Sequence, residues 1–219
     1  PGEGFLRLDI REERDWAAVR EWVEDTWGGL DLLVNNAGVA GGGRIDVATM
    51  DEWQWITDIN LFGMVRGLRE FVPMMKAQGS GHIVNVASLA GLVHPAGMAS
   101  YNAVKAAVVA LTETLGHELA QWNIRTSVVC PSYFKTNLVA SMQGRDEAAG
   151  RVIAGLVERS PFTADQIAAA ILEGVERGEQ VIIPDPAAQA ALALKREAPG
   201  DYDALMRAQA RKLQEAAGD

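Results

Sequence analysis

The chain has 219 residues, enough for one large domain with a sizeable core. Hydrophobic residues make up 48% and charged residues 22%, and a formal net charge of -9 without a Lys/Arg cluster argues against nucleic acid as a partner. One cysteine, Cys130, excludes an intramolecular disulfide; neither a signal peptide nor a membrane-spanning apolar stretch is visible, so a cytoplasmic protein with no membrane role is expected.

In chain order, Gly4 to Ile10 reads as a short strand ending at Asp9. A helix follows over about 12–26, with Trp16, Val19, Trp22, Val23 and Trp27 at three- and four-residue spacing, as core packing demands. Gly28-Gly29 stops it, and Leu30 to Asn35 has the continuous apolar character of a strand buried on both faces. After a Gly-rich loop, Gly38 to Gly43, a helix opens near Thr49 or Asp51. It continues through Asn60 and Gly63 to about Gln78, with a break expected near Pro73. His82 to Ala87 is the next strand. A loop from Ser88 to Gly97 leads into a helix that carries Tyr101 and ends near Trp122, and Ile124 to Val129 is a further strand closed by Pro131. Cys130 adjoins that apolar run and reads as a buried thiol.

Residues 132–160 are weakly periodic and suit a mobile lid, about 136–161, or a pair of short helices. Thr163 to Gly178 is a helix with a capping box from Thr163 and Gln166, Gln180 to Pro184 is a last strand, and 186–217 is a helical tail interrupted at Pro199-Gly200. Strands alternating with helices predict an α/β fold, a doubly wound parallel sheet of Rossmann-like type in one domain over 1–219.

The chemistry concentrates at Ser100-Tyr101-Asn102-Ala103-Val104-Lys105. A helix puts Tyr101 and Lys105 on one face, where an ammonium beside a phenol favours the phenolate and prepares it for proton exchange near neutral pH. Surface neighbours with the same spacing are common, so the pair needs company. It comes from polar residues at strand ends, where doubly wound sheets bind ligands: Asp9, Asn35-Asn36 and Ser88, with Thr136 beyond Pro131. Each has a local alternative as a cap or turn residue.

With Asn35-Asn36-Ala37-Gly38, Asn60, Ser88, Tyr101, Lys105 and Pro131-Ser132-Tyr133-Phe134-Lys135-Thr136 in this order and spacing, the chain resembles the short-chain dehydrogenase/reductase family. The resemblance implies carbonyl–alcohol interconversion with NAD or NADP. Tyr101 would be the general acid or base, Ser88 would bond the substrate oxygen, and Lys105 would lower the Tyr101 pKa and hold the nicotinamide ribose. Asn60 would anchor a water behind Lys105. Asp9 and Ile10 would meet the adenine, Asn36, Ala37 and Gly38 the ribose, and Pro131, Phe134 and Thr136 the nicotinamide; no metal is implied. Ser132 stands where the family pattern has Gly, which leaves the path of that loop open.

The resemblance further implies a small-molecule carbonyl or alcohol substrate and a homodimer or homotetramer; Leu92, His94, Met98, Leu138 and Met142 are the foremost candidates to line the pocket, and this apolar lining suggests a medium-sized, partly hydrophobic substrate. Val65, Phe71, Met74, Val109, Leu111 and Leu115 are candidates for the subunit contact or, equally, for core. Alternatives on the same fold are a non-catalytic dinucleotide-binding or scaffold protein, an inactive fragment, and an epimerase or dehydratase. The family's opening strand–helix–strand unit with its Gly-rich turn, roughly 50 residues, is not found ahead of Asp9, so Pro1 reads as a truncation point. In the family strand order 3-2-1-4-5-6-7 that loss exposes apolar edges at the strands ending at Asp9 and Asn35. The 219-residue chain by itself is therefore expected to be poorly soluble and to hold NAD(P)H weakly; a monodisperse preparation with micromolar cofactor affinity would contradict this.

Overall fold

Four strands lie side by side in sequence order in the computed structural model, which describes residues 4–218. They are β1 (Leu32–Asn35), β2 (Gly81–Val86), β3 (Ile124–Val129) and β4 (Val181–Ile182), and every neighbouring pair is parallel. Parallel neighbours need long crossovers, so each step carries helices. These are α2 (Met50–Thr57) and α3 (Gly63–Gln78), then α4 (Ala90–Val93) and α5 (Ala99–Leu119), then α6 (Glu147–Glu158) and α7 (Ala164–Glu176). α1 (Glu13–Trp27) precedes β1, while α8 (Pro186–Glu197) and α9 (Pro199–Ala217) follow β4. The architecture is the expected α/β doubly wound sheet. Pro1, read as a truncation point, lies outside the described residues. Among the described residues no helix is long and apolar enough to cross a membrane.

Side chains alternate across the sheet, so each face has its own core. Leu33, Ile83 and Val128 pack on one face against Trp16 of α1, Phe71 and Met75 of α3, and Val108 of α5. Val84, Val129 and Ile182 face the other way, under Ile171 and Val175 of α7. Trp16 meets Phe71 edge-on, with ring centres 6.3 Å apart. Phe71 and Val109, candidates for a subunit contact, belong to the core, whereas Val65, Met74, Leu111 and Leu115 are only partly buried. Cys130 is fully buried, and burial pushes its thiol up to about 12.

Three expectations fail for physical reasons. Residues 4–9 form no strand, because a strand needs a ladder partner and none among the described residues lies beside them; Phe5 is 94% exposed. β1 is not buried on both faces: Leu33 and Asn35 point inward, but Val34 is 49% exposed, since β1 is an edge strand and α7 covers only β2 to β4. The break between α2 and α3 is a π-helical turn at Asp58–Phe62, not a kink at Pro73, which sits inside α3. Thr49, not Asp51, caps α2: its hydroxyl accepts from Glu52 N at 3.2 Å and the Glu52 carboxylate accepts from Thr49 N. Thr163 and Gln166 form the expected capping box at α7.

A buried polar chain stitches these layers together. Asn35 Nδ2 donates to Asn85 Oδ1 at 2.9 Å, Asn85 Nδ2 donates to Thr112 Oγ1 at 3.0 Å, and Thr126 Oγ1 donates to Thr112 O at 3.1 Å. It runs from β1 through β2 to α5 and back to β3, fixing how α5 sits on the sheet. Asn85→Ala leaves the Asn35 amide without this partner in an apolar setting, and should cost about 2 kcal/mol or more in urea or guanidinium unfolding. A loss within about 0.5 kcal/mol would show that the chain contributes little.

Candidate active site

Ser88 lies just beyond the end of β2, and Tyr101 sits in the first turn of α5. The Ser88 hydroxyl lies close enough to the Tyr101 phenol to favour its ionised form, and Ser88 Oγ accepts from Ala90 N at 3.2 Å. Lys105, one turn further along, is buried and donates from Nζ to Val86 O at 3.0 Å; its ammonium lies 5.7 Å from the centre of the Tyr101 ring. Burial raises the Tyr101 pKa above its ordinary value of 10.0, with the neighbouring Ser88 hydroxyl pulling the other way. The expectation that Lys105 lowers it is therefore not met in this state. Burial instead brings Lys105 itself down to about 8, and its charge is turned to the Val86 carbonyl.

Asn60 occupies the π-helical turn and is buried. Its amide pairs both ways with one residue: Val39 N donates to Oδ1 at 2.8 Å and Nδ2 donates to Val39 O at 3.0 Å. The side chain thus holds the 36–39 loop. Gly38 must be glycine for this approach: a Cβ there would stand 2.9 Å from Asn60 Oδ1 and 3.8 Å from Lys105 Nζ.

Beyond β3, Ser132 shows how the loop from Pro131 to Thr136 is set. Its N–H donates to Asp185 Oδ2 at 2.9 Å and its hydroxyl to Asp185 Oδ1 at 2.6 Å, while Asp185 also caps α8 through Ala188 N at 2.8 Å. Ser132 has no positive φ, so a side chain is tolerated where the family pattern has Gly. The serine adds a clamp between the loop and α8.

Two cavities meet at Ser88 and Tyr101. A cleft of about 370 Å³ is lined by Asn36, Ala37, Gly38, Lys105 and Pro131, with Ser88 and Tyr101 at one side. An apolar cavity of about 420 Å³ also borders Ser88 and Tyr101, and Phe134 and Thr136 line both. The hydroxyl and ammonium donors of the cleft, with the room left by Gly38, fit the ribose–nicotinamide half of a dinucleotide. Asp9 and Ile10 reach neither cavity. The Arg11 guanidinium bonds Asp9 at 2.7 Å and holds its carboxyl well below the usual carboxylate range, and Ile10 packs where a Cβ on Gly63 would be.

Met98 and Leu138 line the apolar cavity as expected, but Leu92, His94 and Met142 do not. Leu92 packs between two core clusters, and Met142 packs against Ile56, Tyr101 and Ile153. Helices α8 and α9 supply part of the wall, including Leu194, Tyr202 and Met206, which sequence reasoning missed; the apolar spacing in the tail was the available signal. The expected lid consists of a 3₁₀ turn, Asn137–Ser141, and α6. It is tied down on the 40–52 side: Ala40 N donates to Ser141 Oγ at 3.3 Å, Arg44 Nε to Asp146 Oδ2 at 2.9 Å, and Arg145 N to Glu52 Oε1 at 2.9 Å.

The model of the family described as short chain dehydrogenase matches residues 4–147. The chain belongs to that family. It is 39% identical over 139 residues to trans-4-hydroxycyclohexanecarboxylate dehydrogenase of Sinomonas cyclohexanicum, covering 64% of this chain and 53% of the relative. It is 37% identical over 132 residues to a 3-alpha-(or 20-beta)-hydroxysteroid dehydrogenase of Mycobacterium tuberculosis, covering 60% and 51%. The chain thus spans about half the length of these curated relatives. The crystal structure of a short chain dehydrogenase/reductase from Burkholderia phymatum in complex with NAD superimposes with a TM-score of 0.81 and 32% identity, over 88% of this chain and 74% of that one.

One histidine near this family site has a different use from the one expected. His94 ends α4 with φ of 60°; its Nε2 donates to Gly91 O at 3.2 Å and its Nδ1 accepts from Lys195 Nζ at 2.8 Å. That pattern requires the neutral ring, and burial first, then Lys195, lowers its pKa below the ordinary 6.5. The contact therefore contributes stability above pH 6.5 that is lost as pH falls from there through the folded-state value. Melting temperature should drop between about pH 7 and about pH 5, and drop less in His94→Gln. Equal drops in the two proteins would remove His94 from the acid response.

Proposed function

We propose that the protein is an NAD(P)-dependent oxidoreductase that interconverts a carbonyl and a secondary alcohol by hydride transfer. The observation that carries this reading is the shared wall: the neighbouring residues Ser88 and Tyr101 border both the polar cleft and the apolar cavity. A substrate oxygen entering from the apolar side meets both hydroxyls while its carbon faces the cleft. A nicotinamide bound there would supply or accept the hydride and, when oxidised, bring a positive ring charge close by.

Lys105, Asn36, Ala37 and Gly38 would hold the ribose, and Pro131, Phe134 and Thr136 the nicotinamide end. Ser88 donates to the substrate oxygen and stabilises charge that gathers on it. Tyr101, kept protonated at neutral pH by burial, gives its proton to that oxygen as the carbonyl carbon receives hydride, so ketone, hydride and proton yield the alcohol. In the reverse direction Tyr101 would first lose its proton to solvent, the phenolate being favoured by the positive ring of an oxidised nicotinamide in the cleft and by Lys105, charged below about pH 8, and would then take the hydroxyl proton. Asn60 is a positioning residue that keeps Gly38 and Val39 in place. Asp9 and Ile10 would serve the adenine end only after Arg11 yields the Asp9 carboxylate. The names of the dehydrogenase relatives and the NAD complex support the reaction class. A cytoplasmic homodimer or homotetramer through α3 and α5 completes the proposal.

Tyr101→Phe should lower kcat by about 10²- to 10⁴-fold with cofactor affinity nearly unchanged, and Ser88→Ala should lower it comparably. Lys105→Met should remove a limb near pH 8 from the rate profile. Steady-state kinetics with cofactor titration checks all three, and wild-type turnover in Tyr101→Phe would take Tyr101 out of the mechanism.

A further inference from the structure

Resting on the hydride-transfer reading, we infer that the substrate is neutral, with the reacting oxygen as its sole hydrogen-bonding group and a hydrocarbon body filling the apolar cavity. Among the described residues that line the cavity none is Asp, Glu, Lys, Arg or His. Most of its other polar side chains are at least partly engaged within the protein. Tyr202 donates its hydroxyl to Val93 O at 2.8 Å, Ser132 its hydroxyl to Asp185 at 2.6 Å, and Tyr133 its hydroxyl to Met98 Sδ at 3.4 Å. Gln209 spends its amide nitrogen on Ala96 O at 3.4 Å, and Thr136 Oγ1 accepts from Leu138 N at 3.4 Å at the cleft border. Ser88 and Tyr101 are then the one hydroxyl pair presented to a substrate oxygen, at the end next to the cleft.

Most of the rest of the wall is aliphatic, including Met98, Leu138, Val152 and Leu156 of α6, and Leu194 and Met206 of the C-terminal helices. A second polar group on the substrate would find few free partners here, and a carboxylate no counter-charge. The volume of about 420 Å³ suits a substrate on the order of ten to fifteen non-hydrogen atoms, the scale of a substituted ring. The cavity thus disfavours a ring carboxylate of the kind named for the Sinomonas relative, although that relative shares 39% of the aligned residues.

The test uses two ketones on one frame: a cyclohexanone bearing a tert-butyl group opposite the carbonyl, and the same ring bearing a carboxylate there. Calorimetry on the intact protein without cofactor reads binding, and NAD(P)H oxidation reads turnover separately. The neutral ketone should bind at least about 100-fold more tightly than the carboxylate. Leu205→Lys, a change at an exposed lining position, should narrow that gap by about tenfold through a charge at the cavity wall. Equal or tighter binding of the carboxylate, or no binding of the neutral ketone up to its solubility, would overturn the assignment whatever the turnover. Tight binding of the neutral ketone with no oxidation of NADH or NADPH would uphold the cavity assignment and sink the hydride-transfer reading instead.

Discussion

The site depends on where one buried ammonium goes. Lys105 donates to the Val86 carbonyl at 3.0 Å, which ties α5 to the carboxyl end of β2. An unpartnered charge in that setting would cost several kcal/mol, so the helix is held at the one depth where the carbonyl is within reach. From that depth Tyr101, one turn earlier, meets Ser88. The polar chain through Asn35, Asn85 and Thr112 anchors the same helix further down. The Tyr101 side chain is thus placed by α5, and Ser88 by the short turn that leaves the end of β2.

The loops around this pair are fixed by carboxylates and amides that line neither of the two cavities. Asn60 fastens Val39, Asp185 fastens Ser132, and Asp146 fastens Arg44 while capping α6. Burial works to raise the Asp146 pKa, but the hydrogen bonds from Arg44 outweigh it and keep the carboxyl below its ordinary range. Each of these residues joins segments far apart in sequence, so the cleft and the apolar cavity are shaped together. A substrate entering one cavity is brought against whatever occupies the other.

Much of this was legible in the chain because local signals and the tertiary outcome agree. Hydrophobic spacing located α1, α3 and α5, capping residues marked α7, and the run Ile83 to Val86 announced a buried strand. Tyr101, Lys105 and Ser88 could be brought together on the page because the turn length of a helix and the end of a strand are local geometry. What was hidden depends on neighbours. Residues 4–9 have strand composition but no ladder partner among the described residues, and Val34 has core composition on an uncovered face. The direction of the Lys105 ammonium, towards Val86 and not the phenol, is a choice between two acceptors that spacing does not reveal. The contribution of Leu194, Tyr202 and Met206 to the cavity depends on α8 and α9 folding back over α4.

The central claim is that Ser88 and Tyr101 would hold one substrate oxygen so that the carbon bearing it faces a hydride donor bound in the adjoining cleft. The most direct measurement supplies reduced cofactor deuterated at its hydride-bearing carbon, together with a neutral ketone, and locates the label in the product by mass spectrometry and NMR. Deuterium on the carbinol carbon, from one face of the cofactor and with solvent protons only on oxygen, is the result expected. Product alcohol whose carbinol hydrogen comes from solvent, or comes equally from both cofactor faces, would contradict the account.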